Sequence, residues 1–189
     1  VGTDDRKDLD GVLNFPIIQD QLAGKLAFAS QNDGGLFKNI LTDEQVGDAN
    51  NQDYNGTLLW TPIEDFETQF IYQRYEDKND GIPLLNRSSL NVDNPVNPVP
   101  DLPCELLGAC DDGIVNETRQ DFYEPIDFQL DAYTLEMNWE VALGTITSIT
   151  GYRDTDENVP VDFDGSECAF FHVVRDQQSE QTSSELRFA

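Results

Sequence analysis

Carboxylates dominate the chemistry open to this chain. Asp and Glu number 37 against 11 Lys and Arg, a formal net charge of −26. Such a surface attracts cations and repels phosphate, which excludes nucleic acid as a partner. The densest group, Asp154-Thr155-Asp156-Glu157-Asn158, opens like a calcium loop. It fails as an EF-hand, because Val159 occupies the position that needs Gly and Gly165 the position that needs Glu. The run from Asp162 to Glu167 offers at most a loose calcium site, and a solvated acidic loop is the favoured reading. The one histidine, His172, has no Ser in a G-x-S-x-G elbow to serve. Paired carboxylates for glycoside hydrolysis depend on position in the fold, which spacing alone does not give. Of the three cysteines, Cys104 and Cys110 bracket a short polar loop and form a candidate disulfide, the alternative being two free thiols; Cys168 stands alone. One histidine with this cysteine spacing does not supply four zinc ligands. The expectation is no catalytic residue, no metal, no cofactor and no enzyme activity.

The elements that carry these residues read as strands. Hydrophobic residues make up 38% of the chain and mean hydropathy is −0.50, and no apolar run is long enough for a membrane helix. Alternating polarity, the mark of a strand with two unlike faces, is clearest around Gln52–Asp77. There Tyr54, Gly56, Leu58 and Trp60 share a face, as do Phe66, Thr68, Phe70 and Tyr72, with a short turn at Thr61–Asp65 between the two runs. Similar runs are predicted at Lys7–Ile17, Leu22–Ser30, Gln129–Trp139, Leu143–Arg153 and Thr182–Phe188. Between them lie polar loops at Asp33–Asn51, Asp77–Asp127 and Asp154–Glu180. The middle loop holds most of the prolines and reads as irregular.

Short and long connections thus alternate strictly along the chain. A soluble sandwich has no reason for that pattern, whereas an up-and-down meander through a bilayer does, with tight turns on one rim and long loops on the other. Trp60 and Trp139 fall beside short turns, and Tyr54, Tyr72 and Tyr133 toward the long loops, as two interfacial aromatic girdles would require. Glu67, Gln69, Glu136 and Asn138 on the opposite face suit a wet lumen better than a dry core. Lys78, Arg87, Arg119 and Arg175 are the candidate ligand-contacting residues of the long loops.

Three stretches carry a family resemblance: LDGVLNFPIIQDQLAGKLAFASQNDGGLFKN, TLLWTPIEDFETQFIYQRYEDKND, and SITGYRDTDENVPVDFDGS followed by RDQQSEQTSSELRFA. Together they resemble the early barrel strands of the TonB-dependent outer-membrane receptors, over most of the chain except the middle loop. The resemblance implies part of a plugged barrel of about 22 strands. Residues 1–189 would then be a partial barrel of about seven strands, with plug and barrel C-terminus absent. The fold expected is all-β, an antiparallel up-and-down meander forming part of a transmembrane β-barrel with long extracellular loops. Seven strands alone would form a curved, open meander with unburied outward faces.

The resemblance further implies location in the bacterial outer membrane, contact with outer-membrane lipid, and coupling to the TonB complex through a missing N-terminal region. It also implies active uptake of a scarce small-molecule ligand such as a ferric siderophore. Two other readings are carried beside it: a secreted soluble β-sandwich binding module of lectin-like kind, and a passive porin. Both ends of the sequence fall abruptly, so the chain reads as a piece of a longer protein.

Overall fold

The computed structural model describes residues 5–85, 115–167, 169 and 171–189. Seven strands form one sheet in the order β1 (Lys7–Ile18), β2 (Leu22–Asn32), β5 (Asn50–Ile63), β6 (Phe66–Asp77), β8 (Asp127–Val141), β9 (Gly144–Asp162) and β10 (His172–Phe188), each antiparallel to its neighbours. Three short strands, β3 (Phe37–Asn39), β4 (Glu44–Val46) and β7 (Glu117–Thr118), form a second sheet in the order β4-β3-β7, with β3 and β7 parallel.

The prolines within the large sheet sit where a missing N–H does least harm. Pro16 lies on the edge strand β1, and Pro62 falls in the bulge between Trp60 and Ile63. Pro160 faces Val174 of β10, beyond Asn158, where pairing with β8 stops. At the β1–β2 turn Asp20 takes φ 61°, a left-handed conformation that Asp tolerates, and the Gln21 N–H donates to the Ile18 carbonyl at 3.1 Å.

Register sorts the two faces. Leu26, Gly56, Tyr72, Tyr133 and Tyr152 lie in one cross-strand row, and Leu58, Phe70, Leu135 and Thr150 in another on the same face. This apolar face is open: Leu13 is 60% exposed, Leu58 44% and Trp139 50%. Val46, the last residue of β4, and Ile126, just before β8, are the buried hydrophobic residues among those described. The buried polar side chains, Asn39, Thr118, Gln120, Asp162 and Ser166, gather at the same end.

Several expectations are corrected here. β1 and β10 are not bonded to one another, so the sheet has two edges and does not close. The open meander with two edges and an unburied apolar face is the form expected of seven strands alone; the transmembrane barrel expected around it is corrected, since what is observed is an all-β domain of mostly antiparallel sheets with no sheet closed. The outer-membrane location, contact with its lipid, partnership with the TonB complex and active siderophore uptake all rested on that barrel and go with it, as does the porin reading. No helix of the described residues is long and apolar enough to cross a membrane. The alternative of a β-rich binding module fares better than transport, though not as a sandwich, since strands of two and three residues cannot supply a second layer over strands of eleven to nineteen.

The loops also differ from expectation. Most of the predicted loop 154–180 is strand, because β9 continues to Asp162 and β10 begins at His172. Polar side chains hid this extension. The predicted loops 33–51 and 77–127 contain β3, β4 and β7, too short to show any alternation.

Candidate functional site

Beyond the tyrosine row, toward the long-loop end, the same face turns acidic. Arg74, Asp131, Asp154 and Glu180 occupy successive strands in one cross-strand row, and Glu76, Gln129, Asp156 and Gln178 the next. Gln129, Asp131, Asp154, Asp156, Gln178 and Glu180 line a polar cleft of about 400 Å³. Arg74 answers part of the charge, with Nε 2.7 Å from Glu76 Oε1 and Nη1 3.5 Å from Asp131 Oδ2. Its Nη2 also donates to Gln129 Oε1 at 2.8 Å. The Tyr72 hydroxyl donates to Asp131 Oδ1 at 2.7 Å, a bond that holds the Tyr72 phenol above its usual pKa. Gln178 Nε2 donates to Asp156 Oδ2 at 3.0 Å. Among the described residues no hydrogen bond or ion pair reaches the Asp154 carboxylate. Like charges directly opposite one another on adjacent strands repel, so Asp131, Asp154 and Glu180 make a row suited to a cation.

Past this row the loops are tied into a platform. The buried Asn39 donates from Nδ2 to the Gln120 carbonyl at 2.8 Å and accepts from the Leu41 N–H at 3.0 Å. Gln120 Oε1 accepts from the Leu84 N–H at 2.8 Å and from the Thr118 hydroxyl at 3.0 Å. Asp80 Oδ1 accepts from the N–H groups of Gly47 and Asp48 at 2.8 and 3.0 Å. Burial, together with the neighbouring Asp80 and Asp33, pushes the Asp48 carboxyl up to about 6. Burial and Asp80 likewise raise Tyr123, whose hydroxyl accepts from the Gly47 N–H at 2.8 Å. Gly35 is required in this platform: its φ is +79°, and a Cβ there would stand 2.5 Å from the Val46 carbonyl oxygen.

A third group lies at the mouth of the β9–β10 hairpin. Asp162 and His172 are cross-strand partners, and Asp121 arrives from the segment after β7, held by its N–H donating to the Ser166 carbonyl at 3.1 Å. His172 Nε2 is 2.8 Å from Asp121 Oδ1, and its ring stacks on Phe122 with centroids 4.6 Å apart. Asp162 is 1% exposed; its Oδ1 accepts from the N–H groups of Asp164 and Gly165, each at 3.0 Å, while Oδ2 is buried without a hydrogen-bond partner among the described residues. Burial raises the Asp162 pKa.

The residues singled out from sequence fall elsewhere. Arg119 stands 3.9 Å from Glu167, and Arg175 Nε is 3.1 Å from Glu157 Oε1. The Lys78 backbone bonds Asn50 across β5 and β6. Arg87, Cys104, Cys110 and Cys168 lie outside the described residues. Trp60 and Trp139 both lie near Phe66: the Trp60 ring is 6.4 Å from Phe66, and Trp139 is its register partner. Tyr54 packs on Phe28 at 5.1 Å and Tyr72 on Tyr133 at 5.0 Å. Asp131 and Asp154 were visible only as members of a general acidity. Asp121 gave no signal, since it becomes adjacent to His172 only through the fold.

The fold and these sites define an all-β domain with an open antiparallel sheet and an acidic, hydrogen-bonded loop end. No protein-family model matches the sequence, and no curated protein matches it. Among solved structures, the chain is similar to the siderophore receptor PirA from Acinetobacter baumannii, with a TM-score of 0.55 and 14% identity. The likeness covers 97% of this chain and 24% of the receptor, so the chain spans about a quarter of that protein's length. It is a distant structural match to a TonB-dependent receptor fold, a likeness of fold alone.

Proposed function

We propose that this chain is a binding module, distantly related to the TonB-dependent receptors, that takes up a small positively charged solute in the cleft between Asp131 and Glu180. The reading is one of binding and not of catalysis. The observation that carries it is the row Asp131–Asp154–Glu180, three carboxylates side by side on adjacent strands. Such a row weakens the empty sheet and gains when a cation sits between its members. Gln129 and Gln178 add neutral donors and acceptors beside it, so a solute carrying more than one ammonium group would find both charge and hydrogen bonds. The kinship with PirA, described as a siderophore receptor, supports solute recognition in general.

Isothermal titration of the full chain with spermidine, a trivalent polyamine, tests the reading. Saturable binding that weakens at least tenfold in Asp154→Asn and Asp156→Asn is expected, with steep loss on adding salt. Binding unchanged in both variants would place the cation elsewhere on the acidic surface, and absence of saturable binding would overturn the proposal.

A further inference from the structure

We propose that Asp121, Asp162 and His172 form a binding site for a divalent transition-metal ion of the Zn²⁺ type, a site distinct from the acidic cleft and independent of the function proposed for it. Each residue offers one ligand atom, and the three atoms lie within 4.8 Å of one another. Metal–ligand bonds of about 2.0–2.2 Å place neighbouring ligand atoms roughly 3–3.5 Å apart, so small side-chain rotations close the triad. The three groups come from separate stretches of chain and are fixed independently. Asp162 and His172 face each other across β9 and β10, and Asp121 is held through its backbone to Ser166.

The second observation is the Asp162 Oδ2 atom. It is buried, the residue is 1% exposed, and the oxygen has no hydrogen-bond partner among the described residues. Buried polar atoms are nearly always paired, and an exception calls for a ligand, a water or an ion. The loop already satisfies Oδ1 through the Asp164 and Gly165 N–H groups, which orients the carboxylate and leaves Oδ2 for the site. Phe122, stacked against the imidazole, fixes the plane of His172.

The donor set selects the ion. Two carboxylates balance a dication, and an imidazole nitrogen favours Zn²⁺, Co²⁺, Ni²⁺ or Fe²⁺ over the all-oxygen preference of Ca²⁺ and Mg²⁺. Binding would replace the present Asp121–His172 contact, with the ion taking the position of the shared proton. Three protein ligands leave at least one position for water or an external group.

Because His172 is the one histidine in the chain, its proton NMR signals report the site without any substitution. Titrating the full chain with ZnCl₂ should shift the imidazole resonances and saturate near one equivalent, while CaCl₂ at the same concentration leaves them in place. Asp162→Asn keeps an acceptor oxygen for the loop N–H groups; it should weaken Zn²⁺ binding at least tenfold, and so should His172→Gln, with far-UV circular dichroism unchanged. Imidazole resonances that do not move with Zn²⁺ would overturn the site. So would Zn²⁺ affinity unaltered in both variants, which would mark generic binding to an acidic surface.

Discussion

Removing the charge of Asp48 should stabilise the protein at neutral pH and do nothing at low pH. In the folded chain burial and the nearby Asp80 and Asp33 push the Asp48 carboxyl up to about 6, whereas an unfolded Asp titrates near 3.9. Between these values the folded state holds the extra proton. Stability therefore falls as pH rises from about 4 to 6, and the full penalty stands above that window. A difference of about two pKa units corresponds to roughly 3 kcal/mol for a fully buried group. Asp48 is only partly buried, and solvent screening reduces the expectation to about 1 kcal/mol. Asp48→Asn keeps an oxygen to accept the Asp80 N–H and removes the repulsion. Urea unfolding of wild type and variant, measured in steps from about pH 4 to 7, isolates this group from the other acids titrating in the same range. The variant should gain about 1 kcal/mol at pH 7, a rise of roughly 2–4 °C in melting temperature, and the gap should vanish near pH 4. A gap that does not change with pH, or a variant less stable at pH 7, would refute the reasoning.

Three further outcomes follow from the loop end and the acidic row. Gly35→Ala forces a side chain into a left-handed backbone and against the Val46 carbonyl, and should cost about 3 kcal/mol, read from the shift of the urea midpoint. Gln120→Leu leaves the Leu84 N–H and the Ile82 carbonyl without their side-chain partner. A loss of about 1–3 kcal/mol is expected, together with faster amide exchange at Leu84. Asp154→Asn, without any ligand, relieves the carboxylate row; it should raise stability by about 0.5 kcal/mol at low salt, with the gain shrinking in high salt as the charges are screened.

The strand framework was legible because its signal is local. Tyr54, Leu58 and Trp60 alternate with polar neighbours, and that alternation alone places them on one face, as the register later does. β1, β2, β5, β6, β8 and the first half of β9 were all visible in this way. The outer half of β9 and the start of β10 were not. Asp154, Asp156, Gln177 and Glu180 look like loop, yet they pair across a ladder whose hydrogen bonds are indifferent to side-chain polarity. The acids beside the basic loop residues were equally illegible: Arg119 stands near Glu167 and Arg175 near Glu157 only through the fold.

Sequence by itself determined the secondary-structure class, the order of the main hairpins, the acidity, and which residues share a face, since all of these depend on composition or on neighbours a few residues apart. Tertiary structure alone decided the rest. It gathered β3, β4 and β7 into a second small sheet, with β3 and β7 parallel, a pairing that no alternation encodes. It lined up Asp131, Asp154 and Glu180, which are far apart in sequence, through two registers. It also brought Asp121 to His172, fifty-one residues away, beside the buried oxygen of Asp162 on which the proposed metal site rests. Contacts of that span are fixed by the energy of the whole fold, and the chain read along its length carries no local trace of them.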